Sequence, residues 1–143
     1  MRFMVMVRAD VGTERGDMPT RELLEDMMKF NQEMIDAGVM VSGDGLRPSS
    51  KNAARITFRG GERIVTDGPF PETKELIAGY WIIDVPSFED AVNWMKRCPD
   101  PQTGGESVLE LRQIILPEDF GEDLTPDMQA WEDKQRALAE GRS

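Results

Sequence analysis

The chain has no histidine, which removes Ser-His-Asp and Cys-His nucleophile systems, His-ligated metals and imidazole acid–base catalysis at once. Its lone cysteine, Cys98, can close no intrachain disulfide, which fits a reducing compartment. No histidine can activate that thiol, and it sits just before Pro99, so a nucleophilic Cys98 is the weaker reading. Bases are scarce: 17 Lys and Arg stand against 27 Asp and Glu, a formal charge of −10. A surface that tracks phosphates needs the opposite sign, so no nucleic-acid partner is expected. Long apolar runs are missing too. The longest uncharged one, residues 76–83, has eight residues where a membrane helix needs ~20, so no membrane partner is expected. At the start, only residues 3–7 are apolar between charges, too short for the core of an export signal. A cytoplasmic location is therefore expected.

At 143 residues, 39% hydrophobic and 31% charged, the chain has the make-up of a soluble globular protein with one main core. Residues 2–9 form a strand apolar on both faces, with Phe3, Val5 and Val7 on one and Met4 and Met6 on the other. After a polar stretch rich in Gly and Asp, Pro19 and Thr20 open a helix carrying Leu23, Leu24, Met27, Met28, Phe30, Met34 and Ile35, closed by Gly38. A short strand at 39–41 runs into the turn Gly43-Asp44-Gly45. Residues 55–59 and 62–66 make a hairpin through Gly60-Gly61, and its register sets Arg59 against Glu62 and Ile56 against Val65.

Residues 77–85 form the second strand apolar on both faces, which marks it as central; Pro86 ends it. Ser87 and Asp90 form a capping pattern for a second helix with Phe88, Ala91, Val92 and Met95. A last strand spans 108–115, after a loop at Gly104-Gly105. The order β, α, β, hairpin, β, α, β specifies an α+β domain with a ferredoxin-like antiparallel sheet and both helices on one face. The other face must then be buried by something else, most economically a second copy, so a homodimer closed face to face is expected. Residues 1–116 form this domain. Residues 117–143 hold eight acids and three bases and read as an acidic extension with a helix, opened by Thr125-Pro126 and carrying Met128, Trp131 and Leu138, with a disordered acidic tail as the alternative.

Chemistry concentrates in Asp67-Gly68-Pro69-Phe70-Pro71-Glu72-Thr73-Lys74-Glu75, a rigid link between strands. Asp67 either caps this turn or stands at a pocket edge as a general acid/base or polar anchor beside Lys74. Asp10, Glu14 and Asp17 do not fall in the order of a calcium loop, and Gly43-x-Gly45 lacks the rest of a dinucleotide fingerprint, so neither a metal nor a cofactor is expected. Arg8 and Arg112 lie on strands expected to be buried, where Glu110 or an acid of a partner chain is the expected counter-charge, with an anion as the alternative.

The uninterrupted string Asp67-Gly68-Pro69-Phe70 with Glu72-Thr73-Lys74-Glu75, followed by Gly79-Tyr80-Trp81-Ile82 and Arg97-Cys98-Pro99, resembles the DGPF-domain group of the YCII-related family. The opening Met1-Arg2-Phe3-Met4-Val5 and the turn Gly43-Asp44-Gly45-Leu46-Arg47-Pro48 are similar to that family as well, over about residues 1–116. The resemblance implies a dimeric αβ-barrel protein of bacterial type and poorly defined activity. Some members hold a His-Asp pair in a pocket. Here the pair is incomplete, and Arg47 stands where relatives have a neutral residue, which favours binding an anion over shuttling a proton.

Two functional readings follow. The first is a homodimer binding a small molecule, its ligand site built from Asp44, Arg47, Asp67, Lys74 and Tyr80, with Asp67 as the best catalytic candidate. The second is a regulatory or protein-interaction module anchored by Trp131. The resemblance implies a link to extracytoplasmic-function sigma factors for that second role.

Overall fold

The computed structural model describes residues 1–101 and 105–141, so the expected loop residue Gly104 lies outside the described residues. Two compact units are present, Met1–Gln113 and Ile114–Ser143.

In the first unit the strands are β1 (Arg2–Arg8), β2 (Met40–Gly45), β3 (Ala54–Arg59), β4 (Glu62–Asp67), β5 (Ile77–Asp84) and β6 (Leu109–Gln113). The helices are α1 (Val11–Arg15), α2 (Arg21–Asp36) and α3 (Phe88–Met95). Four strands form one antiparallel sheet in the order β2-β5-β1-β6, the ferredoxin-like arrangement expected from the element order. The strands read as apolar on both faces, β1 and β5, are the two central ones.

Strand alternation sends Phe3, Val5, Trp81 and Ile83 to the face that meets the helices. There they are buried with Phe30 and Met34 of α2 and Ala91 and Met95 of α3 in one core. Each such large side chain contributes roughly 1.5–3 kcal/mol by leaving water. The Phe3 and Phe88 rings sit 5.8 Å apart, and Phe30 meets Trp81 edge-on at 6.0 Å. α2 starts where Thr20 Oγ1 accepts from the Leu23 amide, and α3 where Ser87 Oγ accepts from the Asp90 amide.

The stretch read as polar linker contains α1, because Asp10 accepts from the Thr13 amide and Thr13 Oγ1 from the Asp10 amide, a reciprocal cap that supports even one turn. Five residues are too few for periodicity to reveal.

β3 and β4 form a separate two-stranded sheet with the expected register, Ile56 opposite Val65 and Arg59 opposite Glu62. Gly60 and Gly61 have φ of 55° and 85°, the pair of positive values that lets a two-residue turn follow the twist of its strands.

In the second unit a 3₁₀ segment, Pro117–Asp123, precedes α4 (Pro126–Glu140), whose first amides are capped by Thr125 Oγ1 at 3.3 Å from the Met128 nitrogen. Met128, Trp131 and Leu138 are exposed on it. Among the described residues no helix is long and apolar enough to cross a membrane.

Candidate functional site

On the sheet face opposite the helices, the register sets Ser42, Ile82, Met4 and Arg112 in one row and Asp44, Tyr80, Met6 and Glu110 in the next. The middle of this face is apolar and half-buried, and its two margins are charged. At one margin the Tyr80 hydroxyl donates to Asp44 Oδ2 at 3.4 Å. At the other, Arg8 Nη1 donates to Glu110 Oε1 at 2.9 Å and Arg112 lies 4.0 Å from the other Glu110 oxygen. Glu110 is thus the counter-charge expected for both arginines, but β6 is an edge strand and Arg112 is exposed on it, not buried as expected. The Arg8 guanidinium also donates to the Lys74 carbonyl, which brings the Lys74 backbone to this margin.

The DGPF turn is built by contacts that no linear spacing shows. Gly68 lies so close to the β2–β3 loop that an added Cβ would stand 1.8 Å from the Ser49 carbonyl oxygen. The Gly68 amide donates to the Ala53 carbonyl at 2.9 Å. Ser49 is buried, and its hydroxyl accepts from the Phe70 amide at 3.0 Å while donating to the Glu14 carboxylate. Glu14 also accepts from the Ser49 amide at 3.0 Å. The Arg55 guanidinium covers the Phe70 ring at 4.0 Å from its centre and reaches Glu72 at 3.5 Å. Glu14 and Ser49 escape any reading by motif, since they are 35 positions apart and only the fold joins them.

Among the five candidates, then, the structure brings Asp44 and Tyr80 together and places the Lys74 backbone against Arg8. Arg47 and Asp67 are exposed, and neither side chain has a hydrogen bond or ion pair among the described residues. Asp67 pairs with Ala54 at the root of the hairpin. A carboxylate that served to cap the turn would accept from a nearby backbone amide, and that of Asp67 does not. The acids of residues 10–17 are occupied: Asp10 caps α1, Glu14 holds Ser49, and Arg15 keeps the Asp17 carboxyl below its usual range through a hydrogen bond. Cys98 is half-buried beside the core, and burial, helped by Asp100, pushes its thiol up to about 12. At neutral pH it is a thiol, not a thiolate nucleophile.

Comparison with known proteins gives a relative and a family. An uncharacterised protein of Rhizobium meliloti (strain 1021) is 32% identical over 91 residues, which span 62% of this chain and 73% of that protein. The family model for the YCII-related domain matches residues 1–115, the sheet, helices α1, α2 and α3, the hairpin and the DGPF turn together, and so the chain belongs to the YCII-related family.

Proposed function

We propose that the chain binds a small molecule on the uncovered face of its four-stranded sheet, working as a homodimer in which a second copy closes that face into a chamber. The observation that carries this is the Tyr80–Asp44 pair, a phenol and a carboxylate set at the margin of an apolar floor made by Met4, Met6 and Ile82. Ligand sites combine this kind of apolar lining with a few placed polar groups. Arg47 and Lys74 supply cations for an anionic group of the ligand. Asp67 is left over by the turn it belongs to, which supports a role beyond that turn and makes it the best candidate for any acid–base step.

The test is a thermal-shift screen of small carboxylates, phosphates and neutral metabolite-sized compounds, followed by titration of the best hit. Tyr80→Phe and Asp67→Asn are expected to lower affinity by about 1–3 kcal/mol, the worth of a hydrogen bond to a charged or desolvated group, with little change in melting temperature. Full binding in Asp67→Asn and Asp67→Ala would remove Asp67 from the site. Full binding in Tyr80→Phe as well would place the ligand elsewhere.

One observation favours the second reading, a regulatory or interaction module of the kind linked to extracytoplasmic-function sigma factors. Leu124, Asp127, Met128, Trp131 and Glu132 line an open hollow of about 370 Å³ in the C-terminal unit, and Trp131 is 66% exposed. A tryptophan beside such a hollow fits a contact anchor. Under this reading Trp131→Ala abolishes retention of a defined regulatory partner on the immobilised protein while ligand affinity stays unchanged; retention equal to wild type would sink it.

A further inference from the structure

In the two rows that cross the open sheet face, the margins carry charges of opposite sign and the floor between them carries none. Asp44 is the only charged residue of β2, and among the described residues its carboxylate has one partner, the Tyr80 hydroxyl at 3.4 Å. At the β6 margin Glu110 is shared, with one oxygen 2.9 Å from Arg8 and the other 4.0 Å from Arg112. A separation of 4.0 Å is too long for a hydrogen bond, and the Arg112 side chain is 74% exposed. Between the margins the register sets Tyr80 and Ile82 of β5 beside Met6 and Met4 of β1, all half-buried.

Closing this face, as proposed above, strips water from both margins. A charged group that loses its water must find a counter-charge, or its burial is costly. Asp44 then lacks a cation, and Arg112 lacks an anion at hydrogen-bonding distance. Met4, Met6 and Ile82, by contrast, gain from covering by an apolar group. One molecule meets all three demands if it is long enough. β2 and β6 stand three strand spacings apart, about 14 Å, and the rows of Asp44 and Arg112 differ by two residues, about 7 Å. The diagonal is roughly 16 Å from backbone to backbone. The two side chains take up part of it, and an apolar segment of about six to ten carbons spans the rest. A simple fatty acid would leave Asp44 unmatched, and a sugar phosphate would leave the methionines without an apolar contact.

We infer that the ligand of this face is an elongated zwitterion, with its ammonium group on Asp44 and Tyr80, its apolar middle on Met4, Met6 and Ile82, and its carboxylate or other anionic end on Arg112. The inference rests on the sheet-face site proposed above and adds the chemical class of the ligand and its direction across the strands.

The experiment is isothermal titration calorimetry of the full chain at neutral pH with 8-aminooctanoate, octanoate, octylamine and 4-aminobutanoate. It compares the wild type with Asp44→Asn and Arg112→Gln, and each protein is also sedimented by analytical ultracentrifugation. Both residues are exposed, so the variants keep the wild-type circular dichroism spectrum. 8-Aminooctanoate binds the wild type about tenfold more tightly than either one-ended compound or the short zwitterion, the worth of one charge-assisted contact. Asp44→Asn removes its advantage over octanoate, Arg112→Gln removes its advantage over octylamine, and sedimentation is unchanged. Equal affinity for the one-ended compounds, or losses that do not sort by end, overturn the zwitterion. Dissociation of the dimer in either variant overturns it as well, since the two charges then grip the second copy and not a ligand. A screening hit of another class whose binding depends on Tyr80, while none of the four probes binds, overturns the zwitterion and leaves the sheet-face site standing. A monomeric wild type, or binding that never depends on Tyr80, overturns both.

Discussion

Replacing Trp81 by alanine is expected to lower the free energy of unfolding by about 3–5 kcal/mol, the range for truncating a buried large aromatic. Trp81 is 7% exposed on a central strand, and its indole is held from two sides. Phe30 of α2 meets it edge-on at 84°, and the indole nitrogen donates to Asn31 Oδ1 at 2.9 Å. The truncation opens a cavity between sheet and helix and leaves the Asn31 amide oxygen without its partner. The readout is denaturant unfolding followed by circular dichroism. A loss under about 1 kcal/mol would contradict the packing described here, as the neighbours could not then depend on the indole. Trp81→Phe refills most of the cavity and forfeits the hydrogen bond, so its loss should fall between those of wild type and Trp81→Ala. Trp81 points to the helices, so the opposite sheet face keeps its composition in all three proteins.

Gly68→Ala is expected to be the most damaging change in the DGPF turn. The new Cβ would stand 1.8 Å from the Ser49 carbonyl oxygen and 2.9 Å from its carbon, both backbone atoms that cannot swing away as a flexible side chain would. Relief requires the turn to part from the β2–β3 loop. That breaks the bond from the Phe70 amide to Ser49 Oγ and pulls Gly68 from Ala53. A loss of about 3 kcal/mol, the upper part of the range for overpacking, is expected in global unfolding. Limited proteolysis should show faster cleavage between residues 50 and 76 before the core unfolds, because this contact helps hold the root of an otherwise exposed hairpin. Ser49→Ala separates the two effects. It keeps the close approach and removes the hydroxyl, leaving the Phe70 amide unpaired, so it should cost about 1–3 kcal/mol without the accelerated cleavage. Equal proteolysis of Gly68→Ala and wild type would show that the turn tolerates a side chain, and the tight approach would then not explain the glycine.

What the amino-acid order determined by itself was everything carried by period and by local caps. Two-sided apolarity marked β5 as central and set β1 apart as a second strand apolar on both faces, and the sheet order makes both of them inner strands. Thr20, Ser87 and Thr125 announced the starts of α2, α3 and α4, since a side-chain oxygen three residues before an orphan amide acts within one turn. Gly60-Gly61 set the hairpin register for the same local reason. α1 was missed because a five-residue helix has no period to detect, although its reciprocal cap was written in Asp10 and Thr13.

The candidate site divided differently. Asp44 and Tyr80 were both nameable from the sequence, but their contact depends on β2 lying beside β5, a pairing between residues 36 positions apart that only the sheet creates. The DGPF string was legible as a rigid turn, whereas the division of labour inside it was not. Gly68, Phe70 and Glu72 fit Ser49 and Arg55, while Asp67 fits none of them, and that is a matter of which surfaces meet after folding. The exposure of the β3–β4 hairpin belongs to the same class. Its register was legible from Gly60-Gly61, and only the tertiary structure decides that nothing in the first unit's core packs against it, because burial is a property of neighbours and not of the strand itself.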